Sequence, residues 1–111
     1  MEENDKPVLI YATFPRGPTA EEIGRALVER GLAACVNIIG GMTSIYRWQG
    51  ELHQDAEVVM LIKTRRSRAA AAMTAVQARH PYDNPALLIL PVEGGADAFL
   101  AWIEEQTRPG A

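Results

Sequence analysis

The apolar residues of this chain fall into two rhythms. Residues 7–14, PVLIYATF, form an unbroken apolar and β-rich run, the pattern of a central strand. From Thr19 the rhythm becomes helical. Thr19 and Glu22 stand at capping-box spacing, Ile23 and Leu27 are four apart, and Gly31 supplies a stop. Gly24, inside that helix, weakens it locally and predicts close packing against a sheet. A long β region follows over residues 33–64. Cys35 to Ile39 reads as strand, Gly40-Gly41 as a bulge or bend, Thr43 to Trp48 as renewed strand, and Gln49-Gly50 as a hairpin tip. Glu51 to Glu57 is polar and predicts an extended, exposed arm, whereas Val58 to Ile62 is apolar throughout, as in a strand covered on both faces. Residues 65–80 return to helical spacing, with Ala69, Ala72, Met73 and Val76 on one stripe and Pro81 as the stop. Arg65, Arg66 and Arg68 crowd its start, where the macrodipole disfavours cations. Ala86 to Val92 reads as a last buried strand. Beyond Glu93-Gly94-Gly95, a final helix carries Ala96, Phe99, Leu100 and Ile103 in step, bordered by Trp102.

The element order is β-α-β-β-α-β-α. With right-handed crossovers it predicts an α+β fold, a ferredoxin-like sandwich (βαββαβ plus a C-terminal helix) with an antiparallel sheet and helices on one face. Residues 1–6 read as a flexible polar lead-in, 7–107 as one domain and 108–111 as a tail; a chain of 111 residues has room for a single core. The central hairpin is longer than so small a sheet needs. Ile45, Tyr46 and Trp48 near its tip are costly to expose, so the arm predicts a homo-oligomer.

Charge and composition narrow the partners. A net charge of −3 provides no general attraction to nucleic acid or anionic membrane. The longest apolar stretches, about seven residues, fall well short of a membrane span. The acidic start MEENDKPVLI is unlike a signal peptide, and the one cysteine forms no internal disulfide. These features predict a cytoplasmic location with neither nucleic acid nor membrane as partner.

Few residues carry obvious chemistry. Cys35 sits in an apolar strand, without Lys, Arg or a second Cys close in sequence, and reads as a small buried hydrophobe. Cys35, His53 and His80 lack zinc-finger spacing, but a site shared across an oligomer interface could collect soft ligands suited to copper or zinc. His53, in the polar arm, reads as a solvated histidine. HPYDNP, residues 80–85, supports two readings: a turn held by its prolines and an Asx residue, or a cluster of His80, Tyr82 and Asp83 that binds a small polar ligand or a cation. Lys63 ends the apolar run with its amine free for water or a ligand. No nucleophile elbow, Walker loop, dinucleotide motif or paired-carboxylate arrangement is present, so the chain is expected not to be an enzyme.

Five blocks, GLAACVNI, TSIYRWQGEL, DAEVVMLIKT, HPYDNPALLILPV and FLAWI, occur in order between Pro7 and Ile103. In sequence and spacing they resemble the CutA divalent-cation-tolerance proteins. The resemblance implies a ferredoxin-like subunit in a tight homotrimer, a metal-responsive binding or regulatory role, and copper or another divalent cation as a ligand, with no obligatory cofactor. It implies Cys35 and His80 as metal ligands, and Trp48, Lys63, His80, Tyr82 and Asp83 around a ligand near the subunit interface. The design is also similar to that of PII signalling proteins, so the alternative is a trimeric sensor holding a small effector in inter-subunit clefts. The chain departs from the family pattern at Asp83, where glutamate is usual, and at Ala86, where the family usually carries a carboxylate. It departs again at Gly40-Gly41, where prolines are common.

Overall fold

The structure, a computed structural model, describes residues 5–109. It runs β1 (Pro7–Pro15), α1 (Thr19–Glu29), β2 (Cys35–Trp48), β3 (Glu51–Arg65), α2 (Arg66–Arg79), β4 (Leu87–Pro91) and α3 (Asp97–Gln106). The four strands form one sheet in the order β2-β3-β1-β4, with every pair antiparallel. The predicted element order and the α+β class are therefore observed.

Strand alternation divides the sheet into two unlike faces. Val8, Ile10, Ala12, Phe14, Met60 and Ile62 point to one side, each at most 1% exposed. There they pack with Ala20, Ile23 and Leu27 of α1 and with Ala69, Ala72 and Val76 of α2. Small residues let both helices lie close. A Cβ on Gly24 would stand 2.8 Å from Val36 Cγ2, so the glycine read as a weakness is what admits α1 to the sheet.

Helix α3 lies on the other face, where the Phe99 ring sits 5.5 Å from Lys63 Nζ. The expectation of helices on one face thus holds for α1 and α2 only. Of the predicted α3 stripe only Ile103 is buried; Phe99 and Trp102 are exposed. The last strand also differs from expectation. It spans Leu87–Pro91, and Leu88, Ile89 and Leu90 are 58%, 39% and 40% exposed, because β4 is an edge strand paired with β1 alone. The capping box is absent as well. Glu22 N–H donates to the Pro18 carbonyl at 3.0 Å, which draws Thr19 into the first helical turn without a side-chain cap.

The arginine cluster at the start of α2 has a tertiary explanation. Arg65, buried, donates from Nε to Thr107 Oγ1 at 3.1 Å and from Nη2 to the Glu104 carbonyl. Arg68 donates to the carbonyls of Thr107 and Arg108 at 3.1 and 3.2 Å. These cations therefore satisfy the C-terminal carbonyls of α3, where the helix dipole favours positive charge. The vacant N-terminal donors of α2 are met from the lead-in. Asp5 Oδ1 accepts the Ser67 N–H at 2.7 Å, and the Lys6 carbonyl accepts the Arg66 N–H at 2.9 Å. Asp5 and Lys6 thus bond to the start of α2; residues 1–4 of the expected lead-in and 110–111 of the expected tail lie outside the described residues.

Beyond Glu57, β3 loses β1 and pairs only with β2, so residues 51–56 belong to a two-stranded ribbon. Its tip is a tight turn with positive φ at Gln49 and Gly50, 51° and 82°, the twist a two-residue hairpin favours. The ribbon stretches the molecule to 46 Å in one direction. The radius of gyration is 14.7 Å, where a compact chain of this length would have about 13 Å.

Candidate functional site

A one-residue irregularity builds the site. Between Ile39 and Met42 the β2–β3 register shifts, so that Gly40 and Gly41 oppose Val58 alone. Gly41 takes φ 78°, which a side chain would resist. Before this bulge the odd residues of β2 face Lys63; after it the even ones do. The bulge thereby turns Met42, Tyr46 and Trp48 onto the face that carries Asp55 and Glu57.

On that face, between the arm and the loop after α2, lies a groove of about 580 Å³. Tyr46, Trp48 and Tyr82 provide its aromatic walls, and Asp55, Asp83 and Asn84 its polar groups. A second hollow of about 320 Å³ borders it across Tyr46 and Tyr82, with Glu57 in its lining. Both phenols donate to carboxylates: Tyr46 to Asp55 Oδ2, and Tyr82 to Glu57 Oε2 at 2.8 Å. Burial pushes the Tyr82 phenol well above the usual tyrosine range, and the Glu57 carboxylate it bonds pushes it further. Tyr46 is raised chiefly by its bond to Asp55. Glu57 is only 5% exposed. The ion pairs seen among the described residues, Arg65–Asp5 and Arg108–Glu105, involve neither it nor the groove.

His80 closes the base of this region. Its Nε2 lies 2.7 Å from the Thr13 carbonyl, which can only accept, so Nε2 carries the proton and donates. Its Nδ1 then accepts the Tyr82 N–H at 3.1 Å. The ring also stacks on Phe14 at 4.7 Å between centroids. HPYDNP is thus a turn that also lines the groove: His80 fastens the loop to β1, and Tyr82 is held over Glu57.

Cys35 and Lys63 form a separate cluster. Directly paired across β2 and β3, they bring Sγ to 3.4 Å from Lys63 Nζ, which also donates to Asn37 Oδ1 at 2.6 Å. Cys35 is half-buried rather than a core residue, and its cationic neighbour comes from another strand. The sheet keeps this cluster away from His80. Leu9 opposes Lys63, His80 bonds Thr13, and four residues along a strand span about 13 Å.

Trp48, Tyr82 and Asp83 therefore meet at the groove with His80 behind them, while Lys63 and Cys35 stand apart. As metal ligands, Cys35 and His80 do not fit together within one chain. Both nitrogens of His80 are already hydrogen-bonded, and the Lys63 ammonium beside Cys35 repels a cation. Among the described residues no three His, Cys, Asp or Glu side chains are grouped to hold one metal ion. His53, expected in solvent, is half-buried and stacks on Tyr46 at 5.4 Å. No motif in the sequence marks Tyr46, Asp55 and Glu57 as neighbours; their convergence follows from the post-bulge register, of which Gly40-Gly41 is the sign.

The family model described as CutA1 divalent ion tolerance protein matches residues 8–106. The chain belongs to this family. Against the divalent-cation tolerance protein CutA of Pectobacterium atrosepticum it is 41% identical over 109 residues, covering 95% of this chain and 99% of that one. The rice CutA1 crystal structure superposes with a TM-score of 0.91 at 35% identity, over 97% of this chain and 99% of that one. CutA1 of Thermus thermophilus gives 0.88 at 42% identity, over 91% and 98%. The match to the chloroplastic protein CutA of Arabidopsis thaliana, 39% identical over 111 residues and 97% of this chain, spans only 61% of that longer relative. CutA relatives carry the name of tolerance proteins rather than of enzymes.

Proposed function

We propose that this CutA chain is a ferredoxin-like subunit of a homotrimer, and that it acts as a non-catalytic, metal-responsive binding protein. The observation that carries the binding role is the groove of Tyr46, Trp48 and Tyr82, whose lining holds Asp55 and Asp83 and no Lys, Arg or His. Charge of one sign in a concave, aromatic setting favours a positively charged ligand. The arm supports assembly. Ile45 and Leu52 are 64% and 71% exposed on a two-stranded ribbon, an element that is marginal without a partner surface. The strand order β2-β3-β1-β4 supports the ferredoxin-like reading. The names of its relatives speak for a role in divalent-cation tolerance. Copper or another divalent ion using Cys35 or His80 would have to gather its remaining ligands from a neighbouring subunit. A PII-like sensor gains no specific support from any contact described above.

Calorimetric titration of copper(II) into the wild-type protein, Cys35→Ser and His80→Ala, with the mass of each measured by light scattering, tests this reading. A trimeric mass is expected, and copper binding weakened in either variant would mark that residue as a ligand completed by a neighbouring subunit. A monomeric mass refutes the assembly, and copper binding that neither substitution alters removes both residues as ligands.

A further inference from the structure

The groove has features that a metal site would not need. A dehydrated divalent ion requires several converging oxygen, nitrogen or sulfur donors, and no such group exists here among the described residues. Two tyrosines and a tryptophan line the space instead. Aromatic faces attract bulky, weakly hydrated organic cations through the ring quadrupole, and the attraction grows as water is displaced. Each phenol here donates a hydrogen bond to a carboxylate, which leaves the ring more electron-rich than a phenol bonded to water. The bonds also leave the negative charges of Asp55 and Glu57 without a cationic partner among the described residues. Glu57, 5% exposed, accepts the Tyr82 phenol from the hollow that borders the groove and adds a second carboxylate to this region.

We propose that the groove between the arm and residues 81–84 binds a small organic ammonium ion, with Tyr46, Trp48 and Tyr82 as an aromatic enclosure and Asp55 and Asp83 as counter-charges. The inference rests on the reading that this groove is the ligand site and gives that ligand a chemical class. Trp48 and Tyr46 reach the enclosure only because the Gly40-Gly41 bulge turns them to it. The volume of about 580 Å³ accommodates a tetraalkylammonium or alkylammonium headgroup with a short substituent.

The test titrates the intact protein with tetramethylammonium chloride at constant ionic strength, following the tyrosine and tryptophan ring signals by NMR. Its uncharged counterpart, tert-butanol, is titrated in parallel. Expected are saturable shifts of the Tyr46, Trp48 and Tyr82 rings for the cation and none for the alcohol. Trp48→Ala and Asp55→Asn should each weaken binding about fivefold, the size of one ring or one exposed counter-charge. Asp55 is exposed and the asparagine nearly isosteric, so that variant decides the matter if Trp48→Ala fails to fold. Equal binding of alcohol and cation, unchanged affinity in Asp55→Asn, or no saturation at tens of millimolar overturns the proposal. The copper titration separates this outcome from the wider reading. Copper binding lost in Asp55→Asn, without tetramethylammonium binding, assigns the groove to a metal and overturns the proposal alone. Tetramethylammonium binding without copper binding upholds the proposal and overturns the metal-responsive role.

Discussion

The two faces of the sheet are built from the same strands, yet they differ in nearly every property. Ile62 and Lys63 are neighbours in β3; one is fully buried under the helices, and the other reaches Asn37, Cys35 and the Phe99 ring on the far side. The helix-covered face is closed within the chain by interdigitated Ile, Val, Ala, Met and Phe. The opposite face leaves Ile39, Leu88 and Leu90 52%, 58% and 40% exposed, and beyond α3 it passes into the groove and the arm. The first face accounts for folding. The second collects the polar networks and the unpartnered apolar area, the features on which the proposed binding and assembly rest.

Substitutions on each face separate these roles. The largest effect falls on the covered face. Phe14→Ala, which also removes the ring on which His80 stacks, is expected to lower stability by about 3–5 kcal/mol. Denaturant unfolding measures it, and a loss similar to that of an exposed site would erase the contrast. Next comes Tyr82→Phe, which leaves Glu57 buried without its donor and should cost about 1–3 kcal/mol. Its signature is specific. Because the folded phenol titrates above the free one, the stability it contributes is present below pH ~10 and is lost as pH rises through its raised value. Ultraviolet titration should therefore lose its latest phenolate step in the variant; loss of an earlier step instead would remove the Tyr82–Glu57 bond from the account.

Asp5→Asn follows, at about 1 kcal/mol, the size expected when a carboxylate charge at the start of a helix and beside Arg65 is removed. Burial alone would raise the Asp5 carboxyl, but bonds from Ser67 and the Arg65 guanidinium outweigh it and hold the carboxyl below its ordinary value. A depressed value means that its contribution is complete above pH ~4 and vanishes as pH falls through the folded value. The stability gap between wild type and Asn variant should accordingly close in acid; a gap independent of pH would refute the cap. The smallest effect on the fold itself is expected from Leu88→Ser with Leu90→Ser, within about 0.5 kcal/mol per site. Here the readout is assembly. Sedimentation should report a lower mass with an intact circular-dichroism spectrum, and an unchanged mass would exclude the outer face of β4 from the interface.

Much of this was legible in the residues. The β2 bulge, the hairpin tip, both sheet-packing helices and the Gly24 contact follow from local rules of period, turn and volume, and those rules act within a few positions of one another. Where pattern and structure part, the source is common. The apolar run predicts core for Leu88 and Leu90 because it does not reveal that the strand lies at an edge. The arginines beside α2 looked misplaced because their partners, the α3 carbonyls, lie some forty residues away. Cys35 looked isolated because Lys63 is its neighbour only across a strand pair.

The sequence by itself determined the elements, their order and the family, because periodicity, turn chemistry and motif spacing are properties of short segments. Tertiary structure alone decided which side chains share a face. It brought Tyr46, Trp48, Asp55, Tyr82 and Asp83 to one groove, and it kept Cys35 apart from His80. The reason is register: one extra residue at Gly40-Gly41 reverses the facing of every later position in β2, and a linear pattern marks the bulge without stating which face each side chain then joins.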